Sequence, residues 1–468
     1  MALYRCSVCD TEYDESSHPV RWNDLPADWT CPVCEAGKPF WRRVGAEPDT
    51  SEDSQEATKE RDISFAPDRV EDPHETYMAD IQAMAASGKS VTEPMQTRKP
   101  VISWDDLLVQ GAQLARIPLN HDVEIETTTV IGPQAKQPLV LATPIYISHM
   151  SFGALSKEAK IALARGSKAV ETAIGSGEGG ILPESRENAH KYIFEYVPNR
   201  YSANEENLRA AHAIELKFGQ SAKPGMGGHL PGSKVTGEIA AIRGFAEGED
   251  IISPANYDDI QSSKELREKV AWLREVSGGR PIGLKLAAGH IEADLEIALQ
   301  AEPDFITLDG RAGGTGASSK FIKDSVGIPT PFALYRARKF LNDRKAFHVS
   351  LICTGGLRVS SDFAKALALG ADGVAISTSA LMAIGCQQYR ICNTGNCPRG
   401  IATQDPELRA QLNVDRAAKQ LANFLQVCTA ELKDFARLTG NSSVHGLTIN
   451  DLCTTNSEIS NHTLIRHV

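Results

Sequence analysis

A chain of 468 residues with 41% apolar and 23% charged side chains can bury a sizeable core and exceeds one average domain. Its formal net charge of −11 excludes a general nucleic-acid binder and a protein drawn to anionic membrane. With no run of about 18 apolar residues and no signal peptide, the chain reads as cytoplasmic and reduced, where clustered cysteines serve metals rather than disulfides. Seven of its ten cysteines are clustered: Cys6, Cys9, Cys31, Cys34, Cys386, Cys392 and Cys397. Cys353, Cys428 and Cys453 stand alone and read as small buried apolar side chains.

The first region, residues 1–45, holds two C-x2-C knuckles, Cys6/Cys9 and Cys31/Cys34, among the aromatics Tyr4, Tyr13, Trp22, Trp29, Phe40 and Trp41. Four thiolates at this spacing make a tetrahedral S4 site suited to zinc or iron, and the spacing by itself favours zinc. The stretch DLPADWTCPVC, with Tyr4, Tyr13 and Trp29, closely resembles rubredoxin, a one-iron electron carrier. That resemblance spans nearly the whole head and implies iron rather than zinc at the four cysteines. The segment between the knuckles is shorter than in typical rubredoxins.

Residues 46–100 begin AEPDTSEDSQEATKERDISF, acidic and poor in aliphatics, which reads as a solvated linker. The later ETYMADIQAMAASGKS predicts a short helix.

From residue 101 to 468, short β-branched runs alternate with helical stretches such as SKELREKVAWLREV. Strands are predicted at 144–150, 171–176, 214–220, 250–254, 281–287, 304–310, 348–356 and 372–378. Eight such strands separated by helices predict an α/β fold, a closed (β/α)8 barrel, with an open doubly wound sheet as the alternative. GEGG, AKPGMGGHLPG, GRAGGTGASS and GGLRVSSD each follow a predicted strand, at the carboxyl end where parallel sheets bind ligands. Gly313, Gly314 and Thr315, then Gly355 and Gly356 opening a helix, form two adjacent loops fit for a phosphate. Arg358 adds a charged contact there or is a surface residue of the first helical turn. Lys285, inside the apolar GLKLAA, points either outward along its stem or inward to an anionic partner such as reduced flavin.

At the far end, GCQQYRICNTGNCPRGIATQ sets Cys386, Cys392 and Cys397 in a C-x5-C-x4-C pattern. Three thiolates can hold a cuboidal cluster with one corner vacant, although zinc or a purely structural site also fits an odd count.

MSFGALSKEA, SGEGG, QSAKPGMGGHLPGSKV, ISP, LDGRAGGTGAS and the cysteine stretch occur in the order seen in the FMN-binding synthase domain of glutamate synthase, over most of residues 101–440. This resemblance implies a (β/α)8 barrel holding FMN, with Met150, Ser151, Lys285, Ser377 and Thr378 beside the glycine loops as cofactor contacts. It implies a [3Fe–4S] cluster on the three cysteines and glutamate made from 2-oxoglutarate and ammonia. It carries Gln220 and Lys223 over as contacts to the 2-oxo acid, and Arg200 and Glu178 as further site residues. Without it, Arg200 reads as surface charge and Glu178 as a helix cap or surface residue. The family's AKPGEGGQLPG becomes AKPGMGGHLPG, so Met226 and His229 replace a carboxylate and an amide. A different oxo acid or amine is then open to the site, and His229 is a candidate proton donor, although a lone histidine is more often structural.

The chain opens with Met1–Ala2 and the head, so no glutaminase domain is expected. The amino donor is then free ammonia, the product of a separate glutaminase subunit, or another amine. Electrons are expected from a redox protein such as ferredoxin or a reductase, through the head to FMN, with no direct NAD(P)H site. Two other readings stand beside this one: an amine or amino-acid dehydrogenase sending electrons out through the head, and a non-catalytic electron-transfer subunit.

Overall fold

A computed structural model describes residues 2–44 and 72–468, and most of the acidic stretch expected as a linker lies outside them. The chain divides into two compact units, Met1–Lys89 and Ser90–Val468. Among the described residues, no helix is long and apolar enough to cross a membrane.

The head is a three-stranded antiparallel sheet in which Leu3–Cys6 lies between Glu12–Asp14 and Trp41–Arg43. So short a chain lacks aliphatics for a core, and aromatic rings replace them. Tyr4 stacks on Trp22 at 4.4 Å between centroids, and Trp41 lies 5.2 Å from Trp22. The knuckles are near copies. Asp10 and Glu35, each directly after the second cysteine of its knuckle, take left-handed φ of 58° and 61°. Their amides return to the Cys6 and Cys31 carbonyls at 3.0 and 2.8 Å. The expected short helix is present at Met78–Ser87 and ends on Gly88 at φ 62°.

The second unit is a closed barrel of eight parallel strands. These are β1 (Ile145–Ile147), β2 (Ala173–Gly175), β3 (Lys191–Tyr196), β4 (Ala213–Lys217), β5 (Ile282–Ala287), β6 (Phe305–Asp309), β7 (Ser350–Thr354) and β8 (Gly373–Ile376). Each pairs with the next, and β8 closes on β1. Seven of the predicted strands are barrel strands. The exception is 250–254, where Ile251–Ile252 pairs antiparallel with His229–Leu230 in the long excursion between β4 and β5. The missing barrel strand is β3, which only the short helix Pro183–Glu187 separates from β2. Its period-two aromatics Tyr192, Phe194 and Tyr196 were the available signal.

Inward side chains change character along the strands. Near the amino ends Tyr146, Ala173, Ile193, Ala213, Phe305, Ile352 and Ala375 form an apolar floor. The hairpin of Thr129–Ile131 and Leu139–Leu141 plugs it with Ile131, Leu139 and Leu141. Two residues further along, Glu195, Glu215 and Thr307 replace Ile193, Ala213 and Phe305, with Lys285 beside them on β5, all buried. Outside the barrel, the long helix Val414–Leu438 lies on Lys157–Ala169, where a Cβ on Gly166 would sit 2.8 Å from Leu421.

The floor is tightest at Gly283, where a Cβ would lie 2.2 Å from the Phe305 ring. Gly283→Ala should therefore lower unfolding stability by about 1–3 kcal/mol through overpacking. Adding Phe305→Leu should recover part of the loss, read as a shift in the urea midpoint.

Candidate functional site

The loops after the carboxyl ends of the strands enclose two cavities, of about 110 and 420 Å³. His149, Gln220, Lys285, Gly314, Ser377 and Thr378 line both.

The smaller cavity is bounded by Gly313–Gly314 after β6, Gly355–Gly356 after β7 and Ser377–Thr378 after β8. Gly356, at φ 78°, could carry no side chain, since its Cβ would lie 2.2 Å from that of Ala312. A Cβ on Gly313 would meet Ser221 Oγ at 2.1 Å and Asp309 Oδ1 at 2.6 Å. The loops therefore interlock and leave a narrow slot lined by backbone and small side chains. Arg358 reaches the rim, but its guanidinium is already committed to Asp105, at 2.7 and 2.9 Å, and to Asp362 at 2.9 Å.

Lys285 points inward, which resolves the choice left by the sequence. Its Nζ donates to Glu195 Oε1 at 3.3 Å. Burial opposes its charge, but Glu195, Glu215 and Asp309 together hold the ammonium above the ordinary lysine range. His149 takes the Gly177 amide on Nδ1 at 3.2 Å, which leaves Nε2 as the protonated nitrogen, 3.1 Å from Glu215 Oε2. His149, Glu195 and Glu215 converge within 4.8 Å, a spacing that could hold a metal ion. The Lys285 ammonium already supplies the positive charge, and Nδ1 is already an acceptor, so this is an ion-pair network.

In the larger cavity, Glu178 and Lys217 form an ion pair at 2.6 Å. Burial raises the Glu178 carboxyl, but Lys217 brings it below its usual value. Gln220 reaches Thr315 Oγ1 at 3.3 Å, and Lys223 donates to the Gly227 carbonyl at 3.1 Å. Burial pushes the Lys223 ammonium down, and no carboxylate among the described residues pairs with it directly. Met150 and Ser151 also line this cavity.

Two predicted residues stand apart. Arg200 lines neither cavity, and its exposed guanidinium pairs with Asp258 and, at 3.1 Å, Asp259. His229 is at the rim with its side chain 53% exposed, 2.9 Å from Asp250. The inward guanidinium is instead Arg243, at the end of the helix Gly237–Arg243. Its Nη2 donates to the Phe152 carbonyl at 2.7 Å, while the buried Nε has no partner among the described residues. A Cβ on Gly179 would lie 2.5 Å from that guanidinium, and one on Gly228 would lie 2.4 Å from the Glu178 carboxylate. The glycines of GEGG and GMGGH are thus moulds for charged side chains. Arg243 itself looks like any last-turn helix arginine, so its own segment carries no signal.

In the head, Cys6 and Cys34, and Cys9 and Cys31, lie 3.6 Å apart at sulfur, and all four sulfurs fall within 4.8 Å. That matches one tetrahedral ion, whose metal–sulfur bonds of about 2.3 Å put sulfurs roughly 3.8 Å apart. Cys386, Cys392 and Cys397 line the larger cavity and are not such a compact set among the described residues. Lys234 donates to the Cys392 carbonyl at 2.6 Å.

A family model described as a conserved region in glutamate synthase matches residues 75–442, and the rubredoxin model matches residues 3–40. The glutamate synthase large subunit-like protein of Rhizobium meliloti is 38% identical over 410 residues, 83% of this chain and 93% of that protein. The archaeal-type glutamate synthase [NADPH] of Thermotoga neapolitana is 38% identical over 360 residues, 76% of this chain and 68% of that protein. The archaeal glutamate synthase [NADPH] of Archaeoglobus fulgidus is 40% identical over 399 residues, 79% and 77% of the two chains. Among solved structures, a protein described as a lactate oxidase of Pediococcus acidilactici shares the fold, with a TM-score of 0.50, 16% identity, and 75% and 84% of the two chains covered.

The buried network has an acid-side signature. Burial raises the Glu195 carboxyl, but the Lys285 and Lys217 ammoniums bring it below its usual range. An unfolded glutamate titrates near about 4.3, so this stabilisation is full above that pH and is lost as pH falls through the lower folded value. Glu195→Gln should cost about 3–5 kcal/mol at pH 7. The gap to the parent should narrow between pH 5 and pH 3 in urea titrations.

Proposed function

The chain belongs to the glutamate synthase family, and on that premise we propose that it is an iron–sulfur flavoprotein that reductively aminates a 2-oxo acid, 2-oxoglutarate plus ammonia giving glutamate, with electrons delivered through its rubredoxin-like head. One observation carries the substrate side. Lys223, Lys234 and Arg243 line the larger cavity with no carboxylate ion-paired to them among the described residues, while Glu178 and Glu195 are paired with Lys217 and Lys285. A cavity with three such cations fits a dicarboxylate, which supplies the acceptors they lack.

FMN suits the smaller slot. Its glycine loops after β6 and β7 offer unobstructed backbone to a phosphate, and the Lys285 ammonium suits an electron-rich ring. Bound there, the flavin supplies a hydride for the C=N carbon. Gly313, Gly314, Thr315, Gly355, Gly356, Ser377 and Thr378 would hold it, with Met150 and Ser151 on the substrate side. Arg243 would clamp one carboxylate and Lys223 the other carboxylate or the 2-oxo oxygen, with Gln220 fixing the orientation. Glu178, held ionised by Lys217, suits the ammonium or iminium nitrogen.

Cys6, Cys9, Cys31 and Cys34 suit one iron, and Cys386, Cys392 and Cys397 a [3Fe–4S] cluster. A ferredoxin-type donor or reductase and a separate glutaminase are the partner classes in this reading.

Anaerobically purified protein should contain one FMN, acid-labile sulfide and more than one iron per chain. After reduction, 2-oxoglutarate plus ammonia should reoxidise the flavin. Bleaching by an amine alone would point to dehydrogenation, and indifference to every organic reactant would leave an electron relay. Zinc with no flavin would defeat the proposal.

Removing one clamp should cost the charge-assisted hydrogen bonds, worth about 1.5–3 kcal/mol. Arg243→Met and Lys223→Met should each raise the KM for the oxo acid roughly 10- to 150-fold with flavin content unchanged. Arg200→Met should leave KM within about twofold, since Arg200 faces carboxylates outside the cavities.

A further inference from the structure

The segment Ser90–Thr97 is strapped across the loop after β6 and onto the cysteine loop. The Lys320 amide donates to the Val91 carbonyl at 2.9 Å, and the Glu93 amide to the Ser318 carbonyl at 3.1 Å. The Glu93 carboxylate receives the fully buried Lys323 ammonium at 2.7 Å. Arg390, between Cys386 and Cys392 in sequence, donates to the Pro94 and Gln96 carbonyls at 3.3 and 2.8 Å.

Met95 lies between those two pinned carbonyls. Its amide bonds the Thr315 carbonyl at 2.7 Å, and its backbone is held at φ 71°. For an L-residue that conformation costs about 1–2 kcal/mol. A methionine that merely fills space needs no such backbone. The residue is 5% exposed, and its Sδ lies 3.9 Å from Cys392 Sγ. Met95 lines the larger cavity and Gln96 the smaller. The strap is therefore a wall of both cavities, and its strained residue turns a thioether onto a cysteine.

We propose that Met95 is a positioning residue for the iron–sulfur cluster, its thioether packed against the site of Cys386, Cys392 and Cys397 on the side of the β6 loop. This rests on the reading that the three cysteines hold a cluster. The sulfur does two things there. It keeps water from that side of the cluster, and it turns the electron-rich end of a polarisable dipole toward an anionic group, which disfavours adding an electron. Loss of the sulfur should raise the reduction potential, and loss of the whole side chain should expose the cluster.

The test uses the full chain, purified without oxygen, as the parent, Met95→Leu and Met95→Gly. Readouts are the electron-spin resonance of the oxidised cluster, its midpoint in a redox titration, and the rate of sulfide loss in air. Flavin content serves as the control for folding. Met95→Leu keeps the bulk and removes only sulfur. It should keep its flavin, alter the resonance lineshape and shift the cluster's reduction equilibrium upward about threefold, roughly 28 mV for a one-electron couple. Met95→Gly, which relaxes the backbone, should lose sulfide several-fold faster than the parent.

A parental lineshape and midpoint in Met95→Leu would overturn the assignment, whatever the glycine variant does. Parental sulfide loss in Met95→Gly would overturn the shielding role. A parent protein with no cluster signal and no sulfide would defeat the functional reading itself, an outcome distinct from both.

Discussion

The ammonium of Lys285, buried among Glu195, Glu215 and Asp309, is the charge around which the upper barrel is organised. An isolated ion at that depth would cost several kcal/mol, so its partners must come from neighbouring strands at the same height. Glu195 comes from β3, Glu215 from β4, Lys285 from β5, and Thr307 and Asp309 from β6. A one-residue slip of any of these strands would turn its polar side chain outward and strand a charge. The same network that fixes register also gives the cavities above it a charged, water-poor base.

Around that base, the glycine motifs act mainly by making room. Gly179 admits the Arg243 guanidinium, Gly228 the Glu178 carboxylate, and Gly313 the Asp309–Ser221 hydrogen bond. The cations that lack carboxylates line the same cavity, although Lys223 and Arg243 are 20 residues apart in sequence. A dianion entering there would complete hydrogen bonds that the protein leaves open.

The barrel was legible because seven of its strands are short runs rich in aliphatic residues, most of them separated by helical patterns. β3 was hidden because only the five-residue helix Pro183–Glu187 separates it from β2; an inward carboxylate alone does not hide a strand, since β4 carries Glu215 at the same height. At the site, Gln220, Lys223 and Glu178 lie in motifs whose neighbours build the cavity, and the structure brings them together. Arg200 follows the same strand as Glu195 yet turns outward at φ 53° to meet Asp258 and Asp259. Arg243 reaches the cavity only because the excursion between β4 and β5 folds back, a tertiary event that local pattern does not encode. The four-cysteine head was legible throughout, since its ligands are set by two local turns.

The packing of Val414–Leu438 on Lys157–Ala169 has a consequence for biogenesis. The helix that follows β1 keeps an uncovered apolar face until the ribosome has delivered more than 240 further residues. Closure of β8 on β1 waits almost as long, whereas the head draws only on its first few dozen residues. Synthesis therefore proceeds with a finished four-cysteine knot and an unfinished half-barrel, and the helix Val414–Leu438 acts as the latch.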